Sequence, residues 1–483
     1  MSFDRRKFLE CSCKTMSYLT MASALRRFGL MNAYAQTISD YKALVCIFLF
    51  GGNDGNNLII PTDANGVPHT HYSSVRTASS PVGLTATNLQ PMHVTAANAD
   101  PTYGSDFSFH PAMPGVKSMF EGGRIAVLAN AGPLIAPTTR AQYIARSQPV
   151  PSNLFSHSDQ QNQSQTSAPN SLSVVGWGGR IADFMQSANA GAQYPTLVST
   201  AGSAIFTTGN QAQPVNLVPQ LVQGSPTLGP VPTATCTSGS ASSSAATAGD
   251  CTNRTDAMQQ LLTFDTGAAL VQEASSVMNR SFLYTELLND ARLGKPAFAT
   301  VTWPTTNLAN QLHQVAEIIQ VRNELGMKRQ IFFVSIGGFD THSSQGAATG
   351  IQPNLLTDLN NAMNAFNSAM NELGVQNSVT TFTLSDFGRT LQPNTGLGTD
   401  HAWGSHHLIM GGAVQGQRIF GQFPVLQLSG ANDAGNNGRW IPTTSIDQYG
   451  ATLAKWFGVN DADLPAIFPN LNNFTTKNLG FLG

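Results

Sequence analysis

Aspartate and histidine side chains recur in the polar turns that follow predicted strands. A metal-binding set drawn from these turns would comprise Asp54, Asp340, His342, Asp386, Asp400 and His401. Such groups bring like charges together, so either their pKa values shift or a cation occupies the site. Aspartate with histidine and no cysteine suits Zn²⁺, Mn²⁺ or Fe, whereas an all-oxygen set suits Ca²⁺ or Mg²⁺. We predict a divalent metal site, although each residue alone would ordinarily cap a helix or complete a turn.

A serine pair before a polar, helix-like stretch is the candidate nucleophile. Ser156 and Ser158 lie in the segment Leu-Phe-Ser-His-Ser-Asp-Gln-Gln. At a helix N-terminus, a metal and the helix dipole together would lower the pKa of such a hydroxyl. The alternative is an N-cap serine, with His157 and Asp159 as capping or hydrogen-bonding partners.

Arg389 lies in the same predicted turn as Asp386. An arginine can bind an anionic substrate with two parallel hydrogen bonds, so Arg389 is a candidate catalytic residue. The alternative is that it pairs with Asp386 or Asp400.

Continuous apolar runs of strand length alternate with amphipathic helical patterns. The predicted strands are 41–50, 124–129, 195–199, 330–336 and 379–384. Apolar residues recur at intervals of three and four over 308–319 and 359–373, which predicts helices that each lead into a strand. This alternation predicts an α/β fold with a doubly wound, mostly parallel sheet. In such sheets functional residues gather at the carboxyl ends of the strands.

Residues 36–483 are predicted to form a single domain with a surface insertion at about 202–253. The insertion is rich in proline and then in serine. Cys236 and Cys251 bracket part of it, and we predict a disulfide worth roughly 3 kcal/mol in the chain-entropy model. Cys46 lies in the first predicted strand and is expected to be a buried thiol.

The first 35 residues resemble a bacterial export signal. Arg5 and Arg6 precede Lys-Phe-Leu, a weakly apolar stretch and the small-x-small sequence Ala33-Tyr34-Ala35. We predict a twin-arginine signal peptide over 1–35, export by the twin-arginine translocase, and a periplasmic or secreted protein. The alternative is an ordinary amphipathic helix. No later window holds 18 uninterrupted apolar residues, so no transmembrane segment is expected in the mature chain.

The charge of the chain excludes one class of partner. Charged residues make up 11% of the sequence, against about 25% in ordinary globular proteins. Without the leader, 19 basic and 25 acidic residues remain, a net charge of −6. With no basic cluster left, the mature protein is not expected to bind nucleic acid.

The motifs together resemble those of a known family. They are the leader, Phe-Leu-Phe-Gly-Gly-Asn-Asp-Gly-Asn-Asn from 48, Gly-Gly-Phe-Asp-Thr-His from 337, Ser-Asp-Phe-Gly-Arg-Thr from 385 and Gly-Thr-Asp-His-Ala-Trp-Gly-Ser-His-His from 398. They resemble a family of twin-arginine-exported bacterial proteins known only as a domain of unknown function and grouped with the alkaline phosphatase and sulfatase superfamily. The resemblance spans essentially the whole mature chain and implies an alkaline-phosphatase-like fold.

The superfamily implies two divalent metals, commonly zinc, manganese, magnesium or calcium, over a Ser, Thr or formylglycine nucleophile. By this resemblance Asp54 matches the aspartate after the first strand, and Asp340 with His342 matches a later Asp and His. The last histidine resembles His401, with Asp400 or His406 as supplements.

Two features depart from the superfamily pattern. An Asp-His pair is matched here by Asp386 and Phe387, which puts one metal site in doubt because phenylalanine cannot bind a metal. The sulfatase motif Cys-x-Pro-x-Arg is absent, so formylglycine chemistry is not expected.

Two functions follow from these observations. The first is an exported metal-dependent hydrolase or phosphotransferase that acts on phosphate or sulfate esters, with a small anionic substrate. The second is a non-catalytic exported protein of the same fold, stabilised by metal, that binds or assembles a partner or a glycan. The polar turns favour the enzyme, whereas Phe387 and the missing nucleophile motif favour the binding protein.

Overall fold

The computed structural model describes residues 39–95, 98–170, 173–217 and 269–483. Its central strand is β1, whose side chains are buried from Ala43 to Leu49 because both faces of the strand are apolar. The strands of the described residues are β1 Lys42–Leu49, β2 Ile59–Pro61, β3 Gln90–His93, β4 Asp106–Phe109, β5 Ile125–Gly132, β6 Leu197–Ser199, β7 Val215–Asn216, β8 Arg329–Ile336, β9 Val379–Ser385, β10 Ser405–Met410, β11 Ile419–Phe420 and β12 Thr444–Ser445.

Nine of these strands form the main sheet, in the order β11-β5-β10-β9-β1-β8-β6-β7, with β12 also paired to β5. All neighbours are parallel except at β10, which runs antiparallel to both β5 and β9. Strands β2, β4 and β3 form a separate antiparallel sheet. The predicted α/β fold with a mostly parallel sheet is confirmed.

The helices of the described residues connect these strands. They are α1 Gly55–Leu58, α2 Thr70–Ser73, α3 Pro114–Glu121, α4 Arg140–Ala145, α5 His157–Thr166, α6 Trp177–Phe184, α7 Ala269–Arg292, α8 Asn307–Gln320, α9 Ile351–Glu372, α10 Ile446–Phe457 and α11 Leu464–Ile467. The two predicted stripes lie on α8 and α9, which pack against each other. Helix α8 leads into β8 and α9 into β9, as predicted. None of the helices in the described residues is long and apolar enough to span a membrane.

The predicted insertion begins within the ordered fold. Phe206 is buried in a short 3₁₀ turn, and Val215–Asn216 pairs with β6 as the edge strand β7. The start of the proline-containing stretch therefore extends the sheet instead of leaving it. Residues 218–253, with Cys236 and Cys251, and the predicted leader 1–35 lie outside the described residues. Cys46 is a buried free thiol in β1.

Strands β1, β8 and β9 end level with one another. Leu49 pairs with Ile336 of β8 on one side and with Ser385 of β9 on the other. The turn after β1 then passes so close to its neighbours that side chains do not fit. A Cβ on Gly51 would lie 2.3 Å from the Asp340 nitrogen, and one on Gly52 would lie 2.5 Å from the Phe387 ring. Both glycines also have positive φ, so they bring the three turns together.

Candidate metal centre

Three histidines converge on one carboxylate oxygen at these strand ends. The Oδ1 atom of Asp340 lies 3.4 Å from Nε2 of His157, 3.2 Å from Nε2 of His342 and 3.3 Å from Nε2 of His401. The Nε2 atoms of His342 and His401 are 2.8 Å apart. For His157, Asp340 and His401, the atoms that could bind a metal all lie within 4.8 Å of one another.

The other ring nitrogen of each histidine contacts an oxygen acceptor. Nδ1 of His157 lies 2.7 Å from Asp386 Oδ2, and Nδ1 of His342 lies 3.1 Å from Asp400 Oδ1. Nδ1 of His401 donates to the carbonyl oxygen of Phe155 at 2.8 Å. Carboxylates and carbonyls only accept, so a neutral imidazole that donates from Nδ1 to such an oxygen has a lone pair on Nε2.

These contacts are the ones that orient metal-binding histidines in proteins. The three lone pairs and the Asp340 oxygen face one another, and the buried His157 Nε2 has no hydrogen-bond partner. A cation among them would remove this mutual repulsion. The arrangement is therefore a candidate metal centre with three nitrogen donors and one oxygen donor.

Electrostatics keep Asp340 ionised. Burial alone would raise the pKa of its carboxyl, but the hydrogen bond and charge of Arg389, with His157 and His342, lower that pKa to about 2. The hydrogen bond to Asp386 raises the pKa of His157, while burial lowers the pKa of His401.

Asp386 supports the centre from beneath. Its side chain is fully buried and accepts hydrogen bonds from the Gly51 backbone nitrogen at 3.2 Å and from Gln161 Nε2 at 2.7 Å, besides contacting His157. Asp386 thus holds His157 in place, and Asp400 plays the same part for His342.

Helix α5 brings His157 to the site and is polar along its whole length. Its side chains are nonetheless mostly buried, because they bond the surrounding loops. Gln163 donates to the Ser152 carbonyl at 2.8 Å, and Gln160 accepts from the Phe155 backbone nitrogen at 2.6 Å. Phe155 has a left-handed φ of 72°, a strained conformation that aims its carbonyl at His401.

The two candidate nucleophiles point elsewhere. Ser156 Oγ donates to Asp159 at 2.6 Å and Ser158 Oγ donates to the same carboxylate at 3.2 Å. These contacts follow from the start of α5, where Asp159 is the nearest acceptor. They match the alternative in which Asp159 is a hydrogen-bonding partner of the serines.

Arg389 lies beneath Asp340 and is fully buried. It donates to Asp340 and to the carbonyls of Gly51, Gly52 and Thr399. Its partner is therefore Asp340, not Asp386 or Asp400. With its three nitrogens all bonded to protein and its side chain fully buried, Arg389 holds the turns together and is not placed to bind a substrate.

Asp54 lies in a separate buried network. Its carboxylate pairs with Arg76 at 2.7 Å, accepts from Gln345 Nε2 at 2.7 Å and caps α1 through the Asn56 nitrogen at 3.1 Å. Arg76 is far from any motif, but it is fully buried and supplies the positive charge that the sequence analysis assigned to a metal. Asp54 forms no contact with the three histidines in the described part of the chain.

Phe387 and His406 also take structural positions. The Phe387 ring packs 4.8 Å from the His157 ring and 4.7 Å from the His401 ring, so it forms an apolar floor. His406 is buried, accepts a hydrogen bond from the Asn130 nitrogen and stacks on Phe423. Burial lowers the pKa of His406 to about 3, which keeps the ring neutral.

Of the predicted ligands, the structure brings Asp340, His342 and His401 together, with Asp386 and Asp400 behind two histidines. Sequence reasoning assigned His157 only a capping or hydrogen-bonding part, and it did not find the Phe155 carbonyl. His157 does lie in the segment that was singled out for its serines. The sequence signal that could have identified His157 is its position beside a predicted helix start.

The fold and this cluster define an α/β protein with a candidate metal centre at the carboxyl ends of its central strands. Over residues 41–438 the chain matches the family described as "Protein of unknown function (DUF1501)", and it belongs to that family. No curated protein matches the chain.

Solved structures with some likeness include two with a named enzyme activity. PsFucS1 sulfatase from Pseudoalteromonas sp. is 9% identical over 91% of this chain and 72% of its own, with a TM-score of 0.33. A mutant of the alkaline phosphatase PafA is 9% identical over 74% of this chain and 65% of its own, with a TM-score of 0.24. Ps i-CgsB in complex with k-i-k-neocarrahexaose is 8% identical over 89% and 77%, with a TM-score of 0.31. Scores this low carry no weight for the function of the chain.

Proposed function

We propose that this protein is a metal-dependent hydrolase of phosphate or sulfate esters and a divergent relative of the alkaline phosphatase and sulfatase superfamily. The observation that carries the proposal is the convergence of three imidazole Nε2 atoms on Asp340 Oδ1, each ring held by an oxygen acceptor at Nδ1. Three imidazoles and one carboxylate suit Zn²⁺ first, with Mn²⁺ and Fe as alternatives, and suit Ca²⁺ or Mg²⁺ less well.

The site is open on one side. The side chains of Asp340 and His342 are 47% and 43% exposed, whereas Arg389 and Asp386 beneath them are fully buried. Structural zinc sites are usually closed, and catalytic sites leave room for water and substrate. The exposure of the centre therefore favours catalysis over a purely structural metal.

The chain's own residues prepare the site for this chemistry. A divalent cation bound there would polarise a phosphoryl or sulfuryl oxygen and lower the pKa of water. Asp386, Asp400 and the Phe155 carbonyl fix the histidine rings, and Arg389 fixes Asp340. Phe387 excludes water from the floor of the site, which strengthens the electrostatic interactions within it.

Water is the nucleophile in this proposal. Among the described residues, no serine or threonine hydroxyl hydrogen bonds to the four clustered side chains, and Ser156 and Ser158 bond Asp159. Direct attack by water is hydrolysis, so we favour a hydrolase over a phosphotransferase with a covalent intermediate.

We further propose that the protein reaches the periplasm or the exterior through the twin-arginine translocase. The support is the Arg5-Arg6 leader and its small-x-small end at Ala35. Because this pathway carries folded proteins, a metal bound in the cytoplasm would be retained during export.

The second candidate function is a metal-stabilised binding protein without catalytic activity. It is favoured by Phe387, which occupies a position where the superfamily has a metal-binding histidine. A single stabilising metal would then hold α5 against the strand ends.

Turnover of two model esters distinguishes the two functions. Protein purified without a nickel column and loaded with Zn²⁺ or Mn²⁺ should hydrolyse p-nitrophenyl phosphate or p-nitrophenyl sulfate, and chelation should abolish the activity. Replacing His157 by Asn should remove it too, whereas His93→Asn, at an exposed histidine paired with Asp106, should not. A metal-loaded protein without turnover of any ester would favour the binding protein.

A further inference from the structure

A second arginine lies at the centre, and no motif pointed to it. Arg439 Nε donates to the carbonyl oxygen of His401 at 2.8 Å. Its guanidinium carbon lies 4.6 Å from the centre of the Phe155 ring. Arg439 is thus fastened to His401 and to Phe155, two of the residues that build the metal centre.

The outer part of this guanidinium forms no hydrogen bond in the described residues, although its charge helps to lower the pKa of the Asp400 carboxyl. In the described residues Nη1 and Nη2 of Arg439 form no hydrogen bond with protein and no ion pair within 4 Å, and the side chain is only half-buried. Arg389 differs, since all three of its nitrogens are bonded to protein. Arg439 therefore has two terminal nitrogens without a protein partner, whereas Arg389 is fully buried with every nitrogen engaged.

The backbone of Arg439 is rigidly placed. The buried carboxylate of Asp433 accepts hydrogen bonds from the backbone nitrogens of Gly435, Gly438 and Arg439, each at 3.0 Å. Arg140 supports the same loop through the carbonyls of Asp433 and Gly435. Since its Nε atom is also bonded and its guanidinium lies on the Phe155 ring, the side chain loses less conformational freedom when it binds a ligand.

The charges around the centre favour an anion once a metal is present. Asp340, Asp386 and Asp400 contribute three negative charges when ionised, and Arg389 and Arg439 contribute two positive ones. A divalent cation would change the local sum from one negative to one positive charge. The loaded site would then attract an oxyanion, and Arg439, unlike the fully buried Arg389, has unbonded terminal nitrogens to offer it.

We propose that Arg439 binds the tetrahedral oxyanion of the substrate, a phosphate or sulfate group, beside the metal. This inference rests on the proposed function. The guanidinium fork matches two oxygens of such a group through parallel hydrogen bonds. Phe155 and the His401 carbonyl hold the fork in position, so one loop joins the substrate contact to the metal-binding histidines.

Binding of inorganic phosphate and, separately, of sulfate to the zinc-loaded protein tests this by calorimetry. Arg439→Gln should weaken binding of one or both ions about tenfold or more and leave the metal content unchanged, because two charge-assisted hydrogen bonds are lost. Arg439→Lys should retain part of the affinity, since it keeps the charge but not the fork. The ion whose affinity falls identifies the ester class.

Arg322→Gln is the matched control, because it removes a half-buried guanidinium that stacks on the Tyr41 ring near the start of β1, away from the strand ends that carry the centre. Unchanged ion affinity in Arg439→Gln would overturn the proposal, as would an equal loss in Arg322→Gln. Wild-type protein that holds metal but binds neither ion would overturn it too. If the wild type binds no metal at all, the proposed function itself is wrong.

Discussion

Asp54 and Asp340 follow neighbouring parallel strands, but their surroundings differ. Around Asp54 the donors match the acceptors, because Arg76, Gln345 and Asn56 bond its carboxylate in a fully buried network. Asp340 accepts a hydrogen bond from one arginine and faces the Nε2 atoms of three histidines, whose lone pairs supply no further donor. Two aspartates that look equivalent in sequence thus become an internal ion pair and a candidate metal ligand. The difference lies in which partners the fold supplies to each carboxylate.

The largest expected effect is on the internal pair. Arg76→Leu would leave Asp54 buried without a counter-charge, so we expect the free energy of unfolding to fall by about 3–5 kcal/mol. Urea denaturation would measure it. The surface pair of Lys117 and Glu121 is the control, since Lys117→Gln should change stability by less than about 1 kcal/mol. A loss as small in Arg76→Leu would show that Asp54 does not depend on that arginine.

Asp447 is a buried carboxylate that forms no ion pair with an arginine or lysine in the described residues. Asp447 bonds the Ser167 hydroxyl and the Asn470 nitrogen, and burial raises its pKa from 3.8 to about 6. The folded protein therefore holds this proton more tightly than the unfolded chain does. Stability contributed by the neutral form is present below about pH 4 and is lost as the pH rises to about 6.

Replacing Asp447 by Asn should remove that pH dependence. We expect the wild type to lose about 2 kcal/mol relative to Asp447→Asn between pH 4 and pH 6, measured by denaturant unfolding at each pH. Parallel stability curves for the two proteins over this range would contradict the assignment.

A smaller effect is expected at Asp386, which contacts His157 but not the space between the lone pairs. Asp386→Asn should lower metal affinity by about 10- to 100-fold, because such supporting contacts orient the ligand and raise its basicity. Competition with a zinc chelator would measure the change. Asp159→Asn, at an exposed carboxylate beside the same helix start, should leave the metal affinity unaltered. Equal losses of metal affinity in both variants would show that Asp386 has no particular role in orienting His157.

The apolar runs predicted the central strands well, since strands buried on both faces leave a continuous signal. Strand-end geometry then placed Asp340, His342 and His401 at one edge. Arg76 could not be found in this way, because an isolated arginine in a polar loop usually lies at the surface. The orientation of helix α5 could not be predicted for a related reason. Its buried side chains are polar, so the hydrophobic pattern does not show that His157 faces the site.

The metal content of the natively purified protein tests the central claim most directly. Elemental mass spectrometry of protein made without added chelator or nickel should find about one divalent metal per chain. Asp340→Asn should lose that metal and, with it, the rise in melting temperature on adding Zn²⁺, because a ligand that binds only the folded state stabilises it by mass action. Wild-type protein without bound metal, whose melting temperature Zn²⁺ does not change, would contradict the account.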